Sequence, residues 1–196
     1  MYLSSILALT ASVVTAGSPG DSPVTIYPDT TCPSRTVPIE GRKSPLDSLT
    51  FTVANKPVKV CYGRPSARGR VMLGTQVPYG KLWRTGANEP TIFFAPFPLR
   101  VAGLPVPPGV YSLYTVPGAR EWEIIVNRSI SQWGHENEYT DKVKAQELGR
   151  AKVKAEAVAP AVETFTIRSE PGGDKAASLL LEWEKTRVRI PVQAAK

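Results

Sequence analysis

The chain has 196 residues, 42% of them apolar and 21% charged, an ordinary balance for a soluble globular protein that points to one domain with one core. Lysine and arginine outnumber aspartate and glutamate by 24 to 17, and the resulting charge of +7 favours anionic substrates, acidic glycans or anionic surfaces. One histidine and two cysteines leave no recurring metal-ligand spacing, so neither a metal site nor a cofactor is expected.

Residues 1–16 contain an apolar run, Leu3 to Val14, too short to span a bilayer and ending in small residues near Ala16. This reads as a signal peptide, although no basic residue precedes the run. No other stretch could be a membrane span, which makes a secreted or periplasmic protein the expectation. Residues 17–45 are rich in Pro, Ser, Thr and Gly and should form an extended arm, with the folded domain over 46–192 and a short tail over 193–196. Cys32 in the arm and Cys61 in the first hairpin make an even pair in an exported chain, and a disulfide between them is expected.

From Leu46 onward, apolar and polar residues alternate. Leu49, Phe51 and Val53 share one face of a strand, the Ala54-Asn55-Lys56-Pro57 break follows, and Val58, Val60 and Tyr62 share one face of the next. Further strands are expected over Thr91 to Ala95, Leu99 to Ala102, Val110 to Val116, Trp122 to Asn127, Ala151 to Val158, Val162 to Ser169, Ser178 to Glu184 and Thr186 to Ile190, the last stopped by Pro191. Tyr139 to Leu148 is the one helical candidate. Many short strands with Pro/Gly turns predict an all-β fold, an antiparallel β-sandwich or jelly-roll-like two-sheet domain with at most one short helix.

The run from Cys61 to Glu89 stands apart. Arg64, Arg68, Arg70, Lys81 and Arg84 carry five positive charges with no acidic residue before Glu89. Guanidinium groups match carboxylate, sulfate or phosphate oxygens and stack on aromatic rings. Arg64, Arg70, Arg84 and Asn88, bordered by Tyr79 and Trp83, are therefore candidate ligand-binding residues for an anionic or carbohydrate-like small molecule. The same cations could instead hold a long loop to distant carboxylates such as Glu163 or Glu182. Glu89 and His135, the sole histidine, are the candidate acid/base groups if the chain is a hydrolase or lyase.

Three other features have plainer readings. Glu121-Trp122-Glu123 and Glu182-Trp183-Glu184 should turn each Trp inward and each pair of carboxylates outward, onto a strand face where they are solvated or paired with cross-strand Lys and Arg. Trp133 fits either a sugar-stacking platform or a cover over the core. Lys185, Arg187 and Arg189 alternate on a final strand and suggest edge protection rather than nucleic-acid binding.

Tyr62-Gly63-Arg64-Pro65-Ser66, Arg68-Gly69-Arg70, Val77-Pro78-Tyr79-Gly80-Lys81, Trp83 to Glu89, Pro108 to Leu113 and Gln132-Trp133-Gly134 together closely resemble the bacterial exported family catalogued as domain of unknown function 2911. The likeness runs from about Ser48 to Val192. It implies export and a compact single domain, and it brings no activity or catalytic residues with it. Cys61 stands where relatives often carry another residue, so the disulfide would be a local addition. Ligand binding leads as the functional expectation, with a hydrolase or lyase and a structural or partner-binding envelope module as alternatives.

Overall fold

The computed structural model describes residues 31–33 and 38–195, and the expected leader, 1–16, lies outside them, as does most of the arm. Nine strands follow the arm: β1 Leu46–Val53, β2 Lys56–Gly63, β3 Thr91–Ala95, β4 Leu99–Val101, β5 Leu104–Val106, β6 Gly109–Val116, β7 Glu121–Asn127, β8 Glu147–Pro171 and β9 Ala176–Ala194. They form one sheet in the order β1-β2-β3-β6-β7-β8-β9-β4-β5, and every neighbouring pair is antiparallel. The antiparallel all-β class is thus observed, as a continuous ladder.

Alternation explains the core. Phe51 and Val53 of β1, Val58, Val60 and Tyr62 of β2, Phe93 and Ala95 of β3, Tyr111 and Leu113 of β6, and Trp122, Ile124 and Val126 of β7 all face one apolar cluster. Ala54 and Asn55 join β1 to β2 with φ of 52° and 59°, the two left-handed residues that a type I′ hairpin turn needs. On the opposite face of β2, Cys61 meets Cys32 at disulfide distance, with Cα atoms 5.6 Å apart. The pair packs with Ile92, Phe94, Val110 and Ile130, and a crosslink closing a loop of this length is worth about 3 to 4 kcal/mol.

The four strands expected over 151–190 are two long ones, because two irregularities inside them resemble strand ends in sequence. In β8 the register to β9 jumps between Ala157 and Val162. In β9, Leu179, Leu181 and Trp183 face the core before Glu184, and Val188, Ile190 and Val192 face it afterwards. Glu184 has a φ of 51°, and this bulge-like residue shifts the inward phase from odd to even positions. Pro191 does not stop β9, since it lies past Val188, the last residue paired with β8, and its carbonyl still accepts from Ala102 N at 2.8 Å.

β4 pairs with Val192–Ala194 of β9, beyond the basic stripe, in which Arg187 pairs with Glu182 and Arg189 with Glu170. Both tryptophans of the Glu-Trp-Glu motifs are buried, at 1% exposure, and the carboxylates beside them have partners. Glu182 is buried under Arg168 and Arg187, and Glu184 accepts hydrogen bonds from the amides of Met72 and Leu73. Glu121 and Glu123 pair across the strand with Lys152 and Arg150. The helical candidate shrinks to α1, Asp141–Lys144, capped by Thr140, because Glu147 already begins β8.

The sheet curls strongly. Beyond its pairing with β7, β8 reaches the chain just after β2, where Ala67 N donates to Glu163 O and Phe165 N to Pro65 O, both at 2.9 Å. The first half of the Arg-rich segment therefore sits against β8, next to the register jump.

Candidate ligand-binding site

The Arg-rich segment is built around Trp83. Its backbone pairs with Thr115 of β6 through N–H···O contacts of 2.7 and 2.9 Å, which turns the indole into the core. There it stacks on Trp183 at 5.6 Å, meets Phe165 and Trp122 edge-on, and its Nε1 donates to Gly86 O. With 4% exposure, Trp83 is chiefly an anchor that holds the segment from beneath, and it also lines a cleft with Pro78 and Lys81. The following turn is tightly determined: Thr85 is fully buried with a φ of 59°, its hydroxyl donating to Thr115 Oγ1 and its carbonyl accepting from Thr91 Oγ1. A β-branched residue at positive φ is a strained conformation that such contacts must hold in place.

The five cations do not converge on one pocket. Arg64 pairs with Asp47 at 3.2 Å and donates to Thr166 Oγ1. Arg68 donates through Nη2 to Lys43 O, while its backbone amide donates to Glu163 Oε1 at 2.6 Å. Arg84 donates to Asn88 O at 3.1 Å and approaches His135 Nδ1 at 3.5 Å; burial lowers its pKa, against the pull of Glu136. Asn88 spends its side-chain amide on Ser44 O of the arm. Gly134 lets this corner close, because a Cβ there would lie 2.3 Å from Asn88 O and 2.6 Å from Arg84 Cδ.

Glu89 takes a bidentate pair of hydrogen bonds from Arg42, both at 2.9 Å, with the two side chains 9% and 1% exposed. That partner lies in the arm, and sequence gave no reason to select it from other basic residues. His135 is exposed at the edge of the 3₁₀ turn Glu136–Glu138. Trp133 is half-buried and lines a cavity of about 40 Å³ with Pro33, Glu89 and Ile130, room for a few waters and too little for a sugar ring.

Arg70 and Tyr79 are the candidates that share an open concavity. A groove of about 520 Å³ runs past Arg70, Leu73, Tyr79, Glu163, Glu184 and Lys185. Its wall is the β8–β9 irregularity itself, where Glu163 follows the register jump and Lys185 follows the positive-φ Glu184. Arg70 is fixed by donating from Nε to Ala67 O at 2.9 Å and from Nη2 to Ser66 O at 3.1 Å. Tyr79 is 44% exposed. Glu163, Glu184 and Lys185 were not selected from sequence as parts of a site, and the break between the two predicted strands at Lys185 was the one available signal.

A second polar cluster lies on the outer face of β6 and β7. Gln132 donates to Tyr114 Oη at 3.1 Å and to Ser129 O at 3.0 Å, and Asn127 donates to Tyr139 Oη and Val143 O. Burial pushes the Tyr114 phenol up to about 12 and raises Tyr139 too, so both stay protonated at neutral pH. Burial also raises the Glu147 carboxyl, but the hydrogen bonds from Arg150 and Tyr139 outweigh it and hold the group below its ordinary range. Every polar group here is engaged internally, which makes the cluster a clamp on the 128–146 loop.

No curated protein and no solved structure matches the chain. A family model described as "Protein of unknown function (DUF2911)" matches residues 44–192, which span β1 through most of β9 and include the whole Arg-rich segment. The chain belongs to that family.

Proposed function

We propose that this protein binds an anionic or carbohydrate-like small molecule in the groove bordered by Arg70, Tyr79 and Lys185. The observation that carries the reading is the charge arrangement there. Neither Arg70 nor Lys185 has an ion-pair partner among the described residues, while the carboxylates of Glu163 and Glu184 already accept from backbone amides. The cations are thus available to a ligand, and the carboxylates serve the loop. Backbone carbonyls hold Arg70 through Nε and Nη2, leaving Nη1 to donate to a ligand from a preset geometry. The volume lies in the range of small-molecule sites. Tyr79 offers a ring and a hydroxyl to a hydroxylated ligand.

Secretion belongs to the same reading: the Cys32–Cys61 pair suits an oxidising compartment, and no helix among the described residues is long and apolar enough to cross a membrane. We also read the curled sheet as sandwich-like, with the long β8–β9 hairpin wrapping from one layer to the other. Hydrolase or lyase chemistry has weaker support, because Glu89 is committed to Arg42 and neither Glu89 nor His135 lines the groove. A purely structural role calls for every arginine to be paired and the surface closed, which Arg70 and its groove do not fit. Arg64, Arg84 and Asn88 support the groove loop in this reading rather than touch the ligand.

Thermal shift against glucuronate, galacturonate, citrate, phosphate and neutral sugars tests the proposal. A ligand at a hundredfold its Kd contributes about 2.7 kcal/mol, a Tm rise of roughly 5–10 °C for a domain of this size. Arg70→Ala and Lys185→Ala should each remove most of that rise. If no compound raises the wild-type Tm above that of Arg70→Ala, the groove is not the site.

A further inference from the structure

A different cleft lies next along the chain, with a volume of about 460 Å³. Val77, Pro78, Leu82 and Trp83 give it an apolar floor, and Lys81 and Glu136 stand on its walls. The two charges belong to different segments, Lys81 to the Arg-rich loop and Glu136 to the turn after Gly134. Neither makes an ion pair within 4 Å among the described residues, with each other or with any third group. Arg84 feels the charge of Glu136 but spends its own donors on Asn88 O and His135. Both side chains are exposed, so their long stems can reach over the apolar floor while their heads stay wet.

We infer that this cleft is a second binding site, and that its ligand is a zwitterion with an apolar body, the chemistry of a hydrophobic α-amino acid. One ammonium and one carboxylate line the same apolar cleft. A ligand with a single charge satisfies one wall and leaves the other facing its own like charge or nothing. A neutral apolar ligand gains only the floor. A ligand carrying both charges is held by both, and its side chain covers the apolar lining of Val77, Leu82 and Trp83. The cleft shares no lining residue with the Arg70 groove, so the two sites stand or fall separately.

The test uses L-phenylalanine as the probe, with phenylacetate and phenethylamine as comparators that each lack one charge, followed by protein NMR or calorimetry on the full chain. Phenylalanine should bind saturably, with each comparator roughly tenfold or more weaker, as expected for loss of a charge-assisted contact. Lys81→Met should weaken phenylalanine to the level of phenethylamine while leaving phenethylamine unchanged; Glu136→Gln should do the converse with phenylacetate. Both positions are exposed, and an unchanged Tm confirms that each variant folds. Absence of saturable phenylalanine binding up to about 10 mM overturns the inference. So does equal binding of all three probes, or phenylalanine binding that ignores both substitutions.

Discussion

Removing either half of the Arg42–Glu89 pair should be far more costly than replacing both. Two charge-assisted hydrogen bonds at 2.9 Å join groups that are 1% and 9% exposed, and each such bond contributes about 1.5 to 3 kcal/mol. Taking away one charge also strands the other in a dry site, so Glu89→Leu or Arg42→Met alone should cost about 3 to 5 kcal/mol. At 2 to 4 °C per kcal/mol for a chain of this size, that is a fall in Tm of roughly 10 °C or more. The double variant, Arg42→Met with Glu89→Leu, removes both buried charges and keeps apolar volume, and should recover at least about 2 kcal/mol of the summed loss. Urea denaturation followed by tryptophan fluorescence reads all four proteins, since Trp83 and its neighbours sit in the core. Additive losses, or single variants costing less than about 1 kcal/mol, would show that the arm merely rests on the domain and does not lock it.

Gly63→Ala should cost more than about 3 kcal/mol, because the new Cβ would lie 2.1 Å from the Ala87 carbonyl oxygen, a backbone atom that cannot swing aside. Gly69→Ala is the control, with nothing within 4 Å of its Cβ and only a φ of +74° to strain it, worth about 1 kcal/mol; equal stability of the two variants in urea would refute the close-approach account. Stability should also fall in acid through Glu182, whose carboxyl is held below its ordinary 4.5 by the hydrogen bond from Arg168, against burial, and then by Arg187. A depressed folded pKa stabilises fully above the unfolded value and loses that contribution as pH drops through the folded one. Glu182→Gln should therefore cost about 1 to 2 kcal/mol at pH 7 and flatten the acid limb of a Tm-against-pH curve, and an unchanged limb would place the acid sensitivity elsewhere.

Period-two alternation carried most of the fold, since positions such as Val58, Val60 and Tyr62 face the core as spaced. It misled where the phase slips, because one residue at positive φ, Glu184, looks in sequence like the end of one strand and the start of another. Sheet order was beyond it: nothing local tells the end of β9, Val192–Ala194, that β4 will pair with it. In the Arg-rich segment, charge and glycine content marked the right stretch, yet composition cannot sort cations by partner. Arg64 and Arg70 look alike in sequence, and only the curl of β8 brings Thr166 to the first and an open groove to the second. Trp83 was placed at the border of a pocket, and its pairing with Thr115, over thirty residues away, is what turns its indole toward the core.

That inward tryptophan changes the dynamics to be expected of the segment. A connection of this length between β2 and β3 ordinarily opens by itself, at little cost, while the sheet stays shut. Here the indole is wedged among Trp122, Phe165 and Trp183, so lifting the loop means opening the centre of the protein. The amide hydrogens of Trp83 and Thr115, which bond to each other's carbonyls, should exchange with solvent as slowly as those of the central strands. A rim for both clefts that can only come undone with global unfolding is a rigid frame, whose shape is set before anything reaches it.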